Sequence, residues 1–430
     1  MRFPSLSDLD REQRKIYGEA PGDGAILVVG PPGTGKTVMA FHRAQKQKAL
    51  GQKPQVIMFN RVLRRYTSTR SNVAADVPVK TMNQWAYNWW KRAAKQARLP
   101  SLNGNSYDID WTTICSEALA RLANSNGQNA FDWGHLLIDE GQDFPPTMYT
   151  ALGIIQNQLS NQGVNTQITV FADDNQRLQV DKNSRIADIR DHLFIKGVSN
   201  RNFTLRKNFR NTRPIAKFAA HFQVGNESGV AELPDKEGEI PQVVFANNDR
   251  EVADFISRKA KLNPGKQIGV IVYGTSQLVK RTYNQLKSRI GGEGSGLRIQ
   301  AYMSGDKTHT DESLDFDSGN TVTVLHTQSA KGLEFDLVFF VGMERMSLDS
   351  SGFYNERMAL YVMSSRARSE LYIVFTEVDP RAELPASTAL LPRPSTKICR
   401  YVGLGALEAL VPHIEGTIEK NLDPNDLEVE

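Results

Sequence analysis

The stretch Gly30-Pro31-Pro32-Gly33-Thr34-Gly35-Lys36-Thr37 limits what this chain can fold into more than any other. Its spacing, G-x-x-x-x-G-K-T, needs a strand that delivers the chain into a tight loop and a helix that carries it away. Both flanks are present. Ala25-Ile26-Leu27-Val28-Val29 is a short apolar run suited to a buried strand, and Thr37 to Leu50 is predicted as a helix. In such a loop the glycines let successive N–H groups turn inward around a phosphate, and the helix N-terminus adds positive potential. Lys36 is placed against the β- and γ-phosphates and Thr37 against Mg²⁺ through its hydroxyl. The stretch predicts an α/β domain that binds a nucleoside triphosphate.

The 430 residues leave room for about two to three domains. A net charge of +4 permits a polyanionic partner without demanding one. Cys115 and Cys399 lie far apart with no metal-ligand spacing, which argues against a disulfide framework or a zinc site and suits a reducing compartment. Met1-Arg2-Phe3-Pro4-Ser5 runs into charges instead of an apolar signal core, and no apolar stretch reaches membrane-spanning length. The expectation is a cytoplasmic protein with no membrane contact.

Upstream of the loop, Ser7 or Asp8 can cap a short helix carrying Gln13, whose amide could read an adenine edge. Downstream, Gln55-Val56-Ile57-Met58-Phe59 is a second apolar strand, followed by Asn60 and the basic series Arg61, Arg64, Arg65 and Arg70. That series suits a solvated helix face or contacts to nucleic acid phosphates. Trp85 and Trp89 share a helical face with Ala93 and Ala97, which favours core packing over base stacking. His135-Leu136-Leu137-Ile138 predicts a buried strand ending in Asp139-Glu140-Gly141-Gln142-Asp143. A phosphate-loop site needs a carboxylate for Mg²⁺ and a base for the attacking water, and Asp139 and Glu140 supply both. A further strand, Ile168 to Ala172, ends in Asp173-Asp174-Asn175-Gln176.

The ordered series GPPGTGKT, LLIDEGQD and FADDNQ resembles the superfamily 1 DNA helicases of the UvrD/Rep/PcrA type. The second half agrees. Leu205-Arg206-Lys207-Asn208-Phe209-Arg210-Asn211-Thr212 resembles that family's fourth motif, and Ser329-Ala330-Lys331-Gly332-Leu333-Glu334-Phe335 its fifth. Tyr361-Val362-Met363-Ser364-Ser365-Arg366-Ala367 resembles the sixth. The likeness runs from Gln13 to Phe375.

The resemblance implies two RecA-like P-loop NTPase domains with parallel sheets covered by helices. Residues 1–202 would form the N-terminal ATP-binding domain with a short accessory insertion at about 91–130, and 203–400 the C-terminal helicase domain. Residues 401–430 would add a helix, Leu404 to Ile414, and an acidic tail. It implies ATP and Mg²⁺ as cofactors. Gln13 would read adenine, Phe209 stack on it, and Glu334 contact the ribose. Gly33, Thr34, Gly35, Lys36 and Thr37 would hold phosphate, with Thr37 and Asp139 on the metal. Glu140 would act on the water and Gln176 sense the γ-phosphate, while Arg210 and Arg366 would be arginine fingers from the second domain. Asn60, Arg61, Thr81 and Asn83 would contact single-stranded or tailed duplex DNA. The activity implied is ATP-driven 3′→5′ translocation.

Three departures bear on function. The family's long insertions are nearly missing, Arg177-Leu178-Gln179-Val180 replaces aromatic residues that stack on bases, and Gln328 stands where histidine is usual, with His326 read as a strand-end residue. Unwinding is therefore expected to be limited. The alternative is an ATP- and DNA-sensing regulatory subunit, with a nuclease or other protein partner in repair or antiviral defence.

Overall fold

Continuous apolar runs such as Ile26 to Val29 and Leu136 to Ile138 are what a strand covered on both faces requires, since neither face meets water. The computed structural model builds them into two parallel sheets. It describes residues 4–59, 61–70, 77–105, 108–124, 128–177, 182–225, 227–290, 296–348, 352–379 and 383–420. The chain divides into two units, one comprising residues up to Arg206 together with 226–229, the other Lys207–Gly225 and everything from Val230.

The first sheet contains β1 (Gly24–Val29), β2 (Pro54–Met58), β3 (Val79–Thr81), β4 (His135–Ile138), β5 (Gln167–Ala172) and β6 (Asn202–Thr204). Their order is β3-β2-β4-β5-β1-β6, and every pairing is parallel. Alternation along β1 sorts the core into two layers. Ala25, Leu27 and Val29 face one cluster with Trp85, Trp89, Trp90 and Trp133, whereas Ile26 and Val28 face another with Ile16, Met39 and Phe171. Trp85 and Trp89 stack at 5.4 Å inside the first layer, so they are core residues. Ala97, expected on the same face, lies beyond the helix Met82–Ala94 and is exposed. The segment expected as an accessory insertion is part of this core as well: Trp111, Ile114, Ala118 and Leu122 of the helix Trp111–Asn124 pack in the same cluster.

The second sheet contains β7 (Gln242–Phe245), β8 (Gln267–Val272), β9 (Arg298–Ala301), β10 (Thr321–His326), β11 (Phe335–Val341), β12 (Ala367–Phe375) and β13 (Arg400–Gly403). The order is β13-β7-β12-β11-β8-β10-β9, again wholly parallel. The helices Asp249–Leu262 and Ser276–Ile290 cover one face over Val270, Val324 and Phe339. Two expectations change here. The strand β13 places 400–403 inside the sheet, beside β7, and not in an appended tail. The stretch after it is a 3₁₀ turn, Gly405–Leu410, followed by the helix Val411–Ile418. The acidic tail at 421–430 lies outside the described residues, as does most of the glycine-rich stretch 291–296. Among the described residues no helix is long and apolar enough to cross a membrane.

Candidate active site

In a parallel sheet all strands end on one edge, and the loops there face a common space. The first unit gathers its functional side chains on that edge: the phosphate loop after β1, Asp139 after β4 and Asp173 after β5. Gly33 and Gly35 hold left-handed φ values of 81° and 88°, which admit glycine at little strain. Thr34 is buried and donates its hydroxyl to the Pro31 carbonyl at 2.8 Å. Gln13 braces the loop from outside. Its Nε2 donates to the Thr34 carbonyl at 3.2 Å, and its Oε1 accepts from the Asp10 backbone at 3.2 Å. The helix Arg11–Glu19 is thus capped by Asp10, not by Ser7 or Asp8, because Asp10 Oδ1 accepts from the Gln13 N–H at 2.7 Å. A side chain at 35 would meet Gln13 Nε2 at 2.7 Å, so this contact itself requires Gly35.

Lys36 is buried, with Nζ donating to the carbonyls of Gly30 at 2.5 Å and Pro31 at 3.2 Å, and lying 3.8 Å from Asp173 Oδ2. Thr37 donates its hydroxyl to Asp139 Oδ2 at 2.7 Å. The other oxygen of Asp139, Oδ1, is buried without a hydrogen-bond partner. Burial first, then the Glu140 charge, push the Asp139 carboxyl up to about 7, against the opposing pull of Thr37 and Lys36. A hydroxyl beside a carboxylate with an unsatisfied oxygen suits Mg²⁺, which takes one or two protein ligands and completes its shell from phosphates and water. Among the described residues no group of three or more His, Cys, Asp or Glu side chains could hold a metal without such help.

Glu140 stands in the left-handed region at φ 52°, a conformation that few non-glycine residues adopt and that functional turns retain. Gln142 Nε2 donates to Glu140 Oε2 at 2.7 Å, and Gln142 Oε1 accepts from the Asp173 N–H at 2.9 Å. Gln176 Nε2 donates to Asp173 Oδ2 at 2.7 Å. A chain of hydrogen bonds therefore runs from Glu140 through Gln142 and Asp173 to Gln176, with Lys36 beside Asp173. Sequence reasoning singled out the two ends and missed Gln142 and Asp173. The available signal was five consecutive small or polar residues, 139–143, directly after an apolar strand. Gly141 at their centre is enforced by packing: a side chain there would meet Val170 at 2.3 Å and the Tyr149 hydroxyl at 2.9 Å.

Of the proposed DNA contacts, Asn60 lies outside the described residues, while Arg61 is exposed at the start of the helix Arg61–Arg70. Thr81 caps the helix Met82–Ala94, its hydroxyl accepting from the Gln84 N–H at 3.4 Å, and Asn83 is half-buried next to it. These positions follow β2 and β3, on the same edge as the phosphate loop. Phe59, which the sequence reading did not single out, is 40% exposed just after β2 and meets Phe144 edge-on at 6.0 Å. Arg177 is buried against the Asp174 carbonyl, and 178–180 lie outside the described residues.

In the second unit, Arg210 holds Glu334 Oε1 through Nε at 2.7 Å and Nη2 at 2.6 Å, and reaches the Ser365 carbonyl at 3.3 Å. Burial pushes the Glu334 carboxyl up, but Arg210 and Arg368 together outweigh it and hold it below the usual range. Asn211 donates to the carbonyls of Ser365 at 3.2 Å and Ala367 at 2.6 Å, fixing the Arg210 turn to the residues on either side of Arg366. Arg366 is buried, with Nε donating to the Val362 carbonyl at 2.9 Å. Phe209 is 49% exposed, with the Lys207 ammonium 5.4 Å from its ring centre. His326 ends β10, where its ring contacts the Gly274 carbonyl at 2.8 Å and caps the short helix Thr327–Ala330, as a strand-end histidine should.

Residues 13–182 match a family model described as an AAA domain, and 321–374 match the UvrD-like helicase C-terminal domain. The chain is similar to a probable DNA helicase II homolog of Rickettsia conorii, 40% identical over 75 residues, or 15% of this chain and 12% of that protein. DNA helicase II of Rickettsia typhi shows the same identity over 75 residues and 11% of its length. The matched stretch thus spans only about an eighth of these relatives. Among solved structures, the C-terminal domain of a possible DNA helicase from Lactobacillus plantarum overlaps 45% of this chain and 98% of its own, at 20% identity and a TM-score of 0.31.

Proposed function

We propose that this chain, which belongs to the UvrD-type helicases, hydrolyses ATP when bound to single-stranded DNA and uses the cycle to translocate 3′→5′ with limited unwinding. The observation that carries the reading is the assembly on one sheet edge of Lys36, the Thr37–Asp139 pair and the chain from Glu140 to Gln176. Lys36 leaves the Gly30 and Pro31 carbonyls for the β/γ-phosphates, exchanging two dipoles for a full negative charge. Glu140, oriented by Gln142, accepts the proton of the attacking water, and Gln176, oriented by Asp173, meets the γ-phosphate. Bound Mg²⁺ would neutralise developing phosphate charge, with Thr37 and Asp139 as its protein ligands. Arg210 and Arg366 supply the finger charge, Phe209 stacks on the base, and Glu334 contacts the ribose.

DNA contacts follow from Arg61, Thr81, Asn83 and Phe59, together with Asn60. Phe59 supplies a stacking surface that the residues after Gln176 do not. ATP turnover measured with and without single-stranded DNA tests the reading, next to displacement of strands from 3′-tailed duplexes of increasing length. DNA-stimulated turnover with weak displacement by the lone chain is expected. Nucleotide binding without turnover would favour the sensing subunit.

A further inference from the structure

Residues 227–229 belong to the first unit, although the chain before and after them belongs to the second. This short strap lands on the turn that carries Asp173 and Gln176. Ser228 is buried, and its Oγ accepts the backbone N–H of Asp174 at 2.6 Å. The Gly229 carbonyl accepts from Asn175 Nδ2 at 3.4 Å, and Glu227 pairs with Arg190. On the inner side of the same turn, Asp173 orients Gln176 and faces Lys36. Asp174 Oδ1 meanwhile accepts the Ile186 N–H at 2.8 Å, at the start of the helix Ile186–His192. The turn is therefore gripped from within by the phosphate-site residues and from outside by the strap, with one peptide linking the two grips.

We propose that Ser228 is a positioning residue for the nucleotide-sensing turn, and that the strap couples the phosphate site to the second unit's chain, which leaves it at Gly225 and resumes at Val230. The proposal rests on the ATPase reading above. A four-residue turn held at both faces moves as one piece, so a change at Asp173 and Gln176 when phosphate arrives displaces the Asp174 N–H and with it Ser228. By linkage, displacement of the strap acts back on the turn to the same extent. Ser228 acts on the turn through the Asp174 N–H.

The test compares the full chain with Ser228→Ala, which deprives the buried Asp174 N–H of its acceptor, and Ser228→Thr, which restores a hydroxyl. Turnover number, KM for ATP and amide exchange of 173–177 and 227–231 are measured, the last with and without a non-hydrolysable ATP analogue and Mg²⁺. The expected result is that Ser228→Ala lowers kcat about 10-fold with KM changed less than about 3-fold, as loss of one buried partner implies. Ser228→Thr recovers most of the loss, and the analogue alters exchange of both segments together in the wild-type chain. Wild-type kcat in Ser228→Ala overturns the proposal. So does analogue binding that leaves 227–231 unchanged, or a parallel fall in kcat, affinity and melting temperature that threonine does not reverse. A wild-type chain that binds no analogue overturns the ATPase reading and the proposal together, so the two failures are distinct.

Discussion

Arg210 donates its Nε–H to Oε1 of Glu334 at 2.7 Å, and its Nη2 lies 2.6 Å from the same oxygen as an ion pair. Glu334 therefore offsets part of the Arg210 charge, and a finger role asks Arg210 to turn N–H groups toward a transferring phosphoryl group. Arg210→Ala should lower turnover by roughly 10³-fold or more, the lower range for finger arginines, while affinity for a non-hydrolysable ATP analogue stays within a few-fold. Arg366→Ala should behave alike. An unchanged rate returns either arginine to a structural role.

Lys36→Ala should abolish hydrolysis and weaken triphosphate binding. The buried ammonium that faces Asp173 and two loop carbonyls is the charge that the proposed mechanism sets against the β- and γ-phosphates. Fluorescent analogue titration checks the binding, and phosphate release checks the rate. Turnover near that of the parent would remove the phosphate loop from the mechanism.

Glu140→Gln keeps the shape of the side chain and can still meet Gln142, but it cannot take a proton. The expected outcome is a fall in kcat of roughly 10²- to 10⁴-fold, the usual range for a lost general base, with Mg²⁺-nucleotide binding retained. If binding and turnover fall together, Glu140 serves the strained turn and not the water.

His135 bears on stability. Its ring is buried against the Thr169 hydroxyl at 2.9 Å, and burial, followed by the Arg43 charge, pulls it from 6.5 to about 3. Below pH 6.5 the unfolded chain takes up a proton that the folded chain refuses until about pH 3. The stability linked to this group is therefore full above 6.5 and falls as pH drops toward 3, by up to about 1.4 kcal/mol per pH unit. His135→Gln, which does not titrate, should lose less stability than the parent between pH 7 and 4.5 in denaturant unfolding. Parallel losses would show that other groups dominate the acid response.

Phe59 and Arg61 separate two terms of DNA binding. Phe59→Ala should weaken single-stranded DNA by about 1–3 kcal/mol at any salt, the worth of one stacked base. Arg61→Ala should instead reduce the slope of log affinity against log salt by about 1, as loss of one phosphate contact requires. Titrations at several salt concentrations read both. Identical salt slopes for Arg61→Ala and the parent would return Arg61 to the solvated helix face.

The interior strands were legible because a parallel sheet buried on both faces writes its strands as apolar runs, and both phosphate-loop flanks were visible for that reason. The edge strands were not. Val79–Thr81 and Asn202–Thr204 are three residues each, too short for any period, and Arg400–Gly403 carries charge and glycine at an edge where one side needs no partner. At the candidate site, Lys36, Thr37, Asp139 and Glu140 could be singled out because they directly follow the apolar runs of β1 and β4, whose ends the parallel sheet brings together. Gln142, Asp173 and Ser228 could not, since their roles arise from contacts between segments as far apart as 54 positions in sequence. The Asp10 cap was missed by two residues because Ser5, Asp8 and Asp10 all offer suitable oxygens, and only the position of Gln13 selects among them.

The strap at 227–229 also imposes an order in time. All six strands of the first sheet have been synthesised by Arg206, yet the acceptor for the Asp174 N–H is added only with Ser228. At roughly 5–20 residues per second, synthesis of that interval lasts about 1–4 s. Throughout it the nascent first unit carries a complete sheet and phosphate loop but an unclasped turn. A fragment ending at Arg206 would remain permanently in that juvenile state, so its nucleotide chemistry would describe an earlier stage in the life of the protein and not the finished molecule.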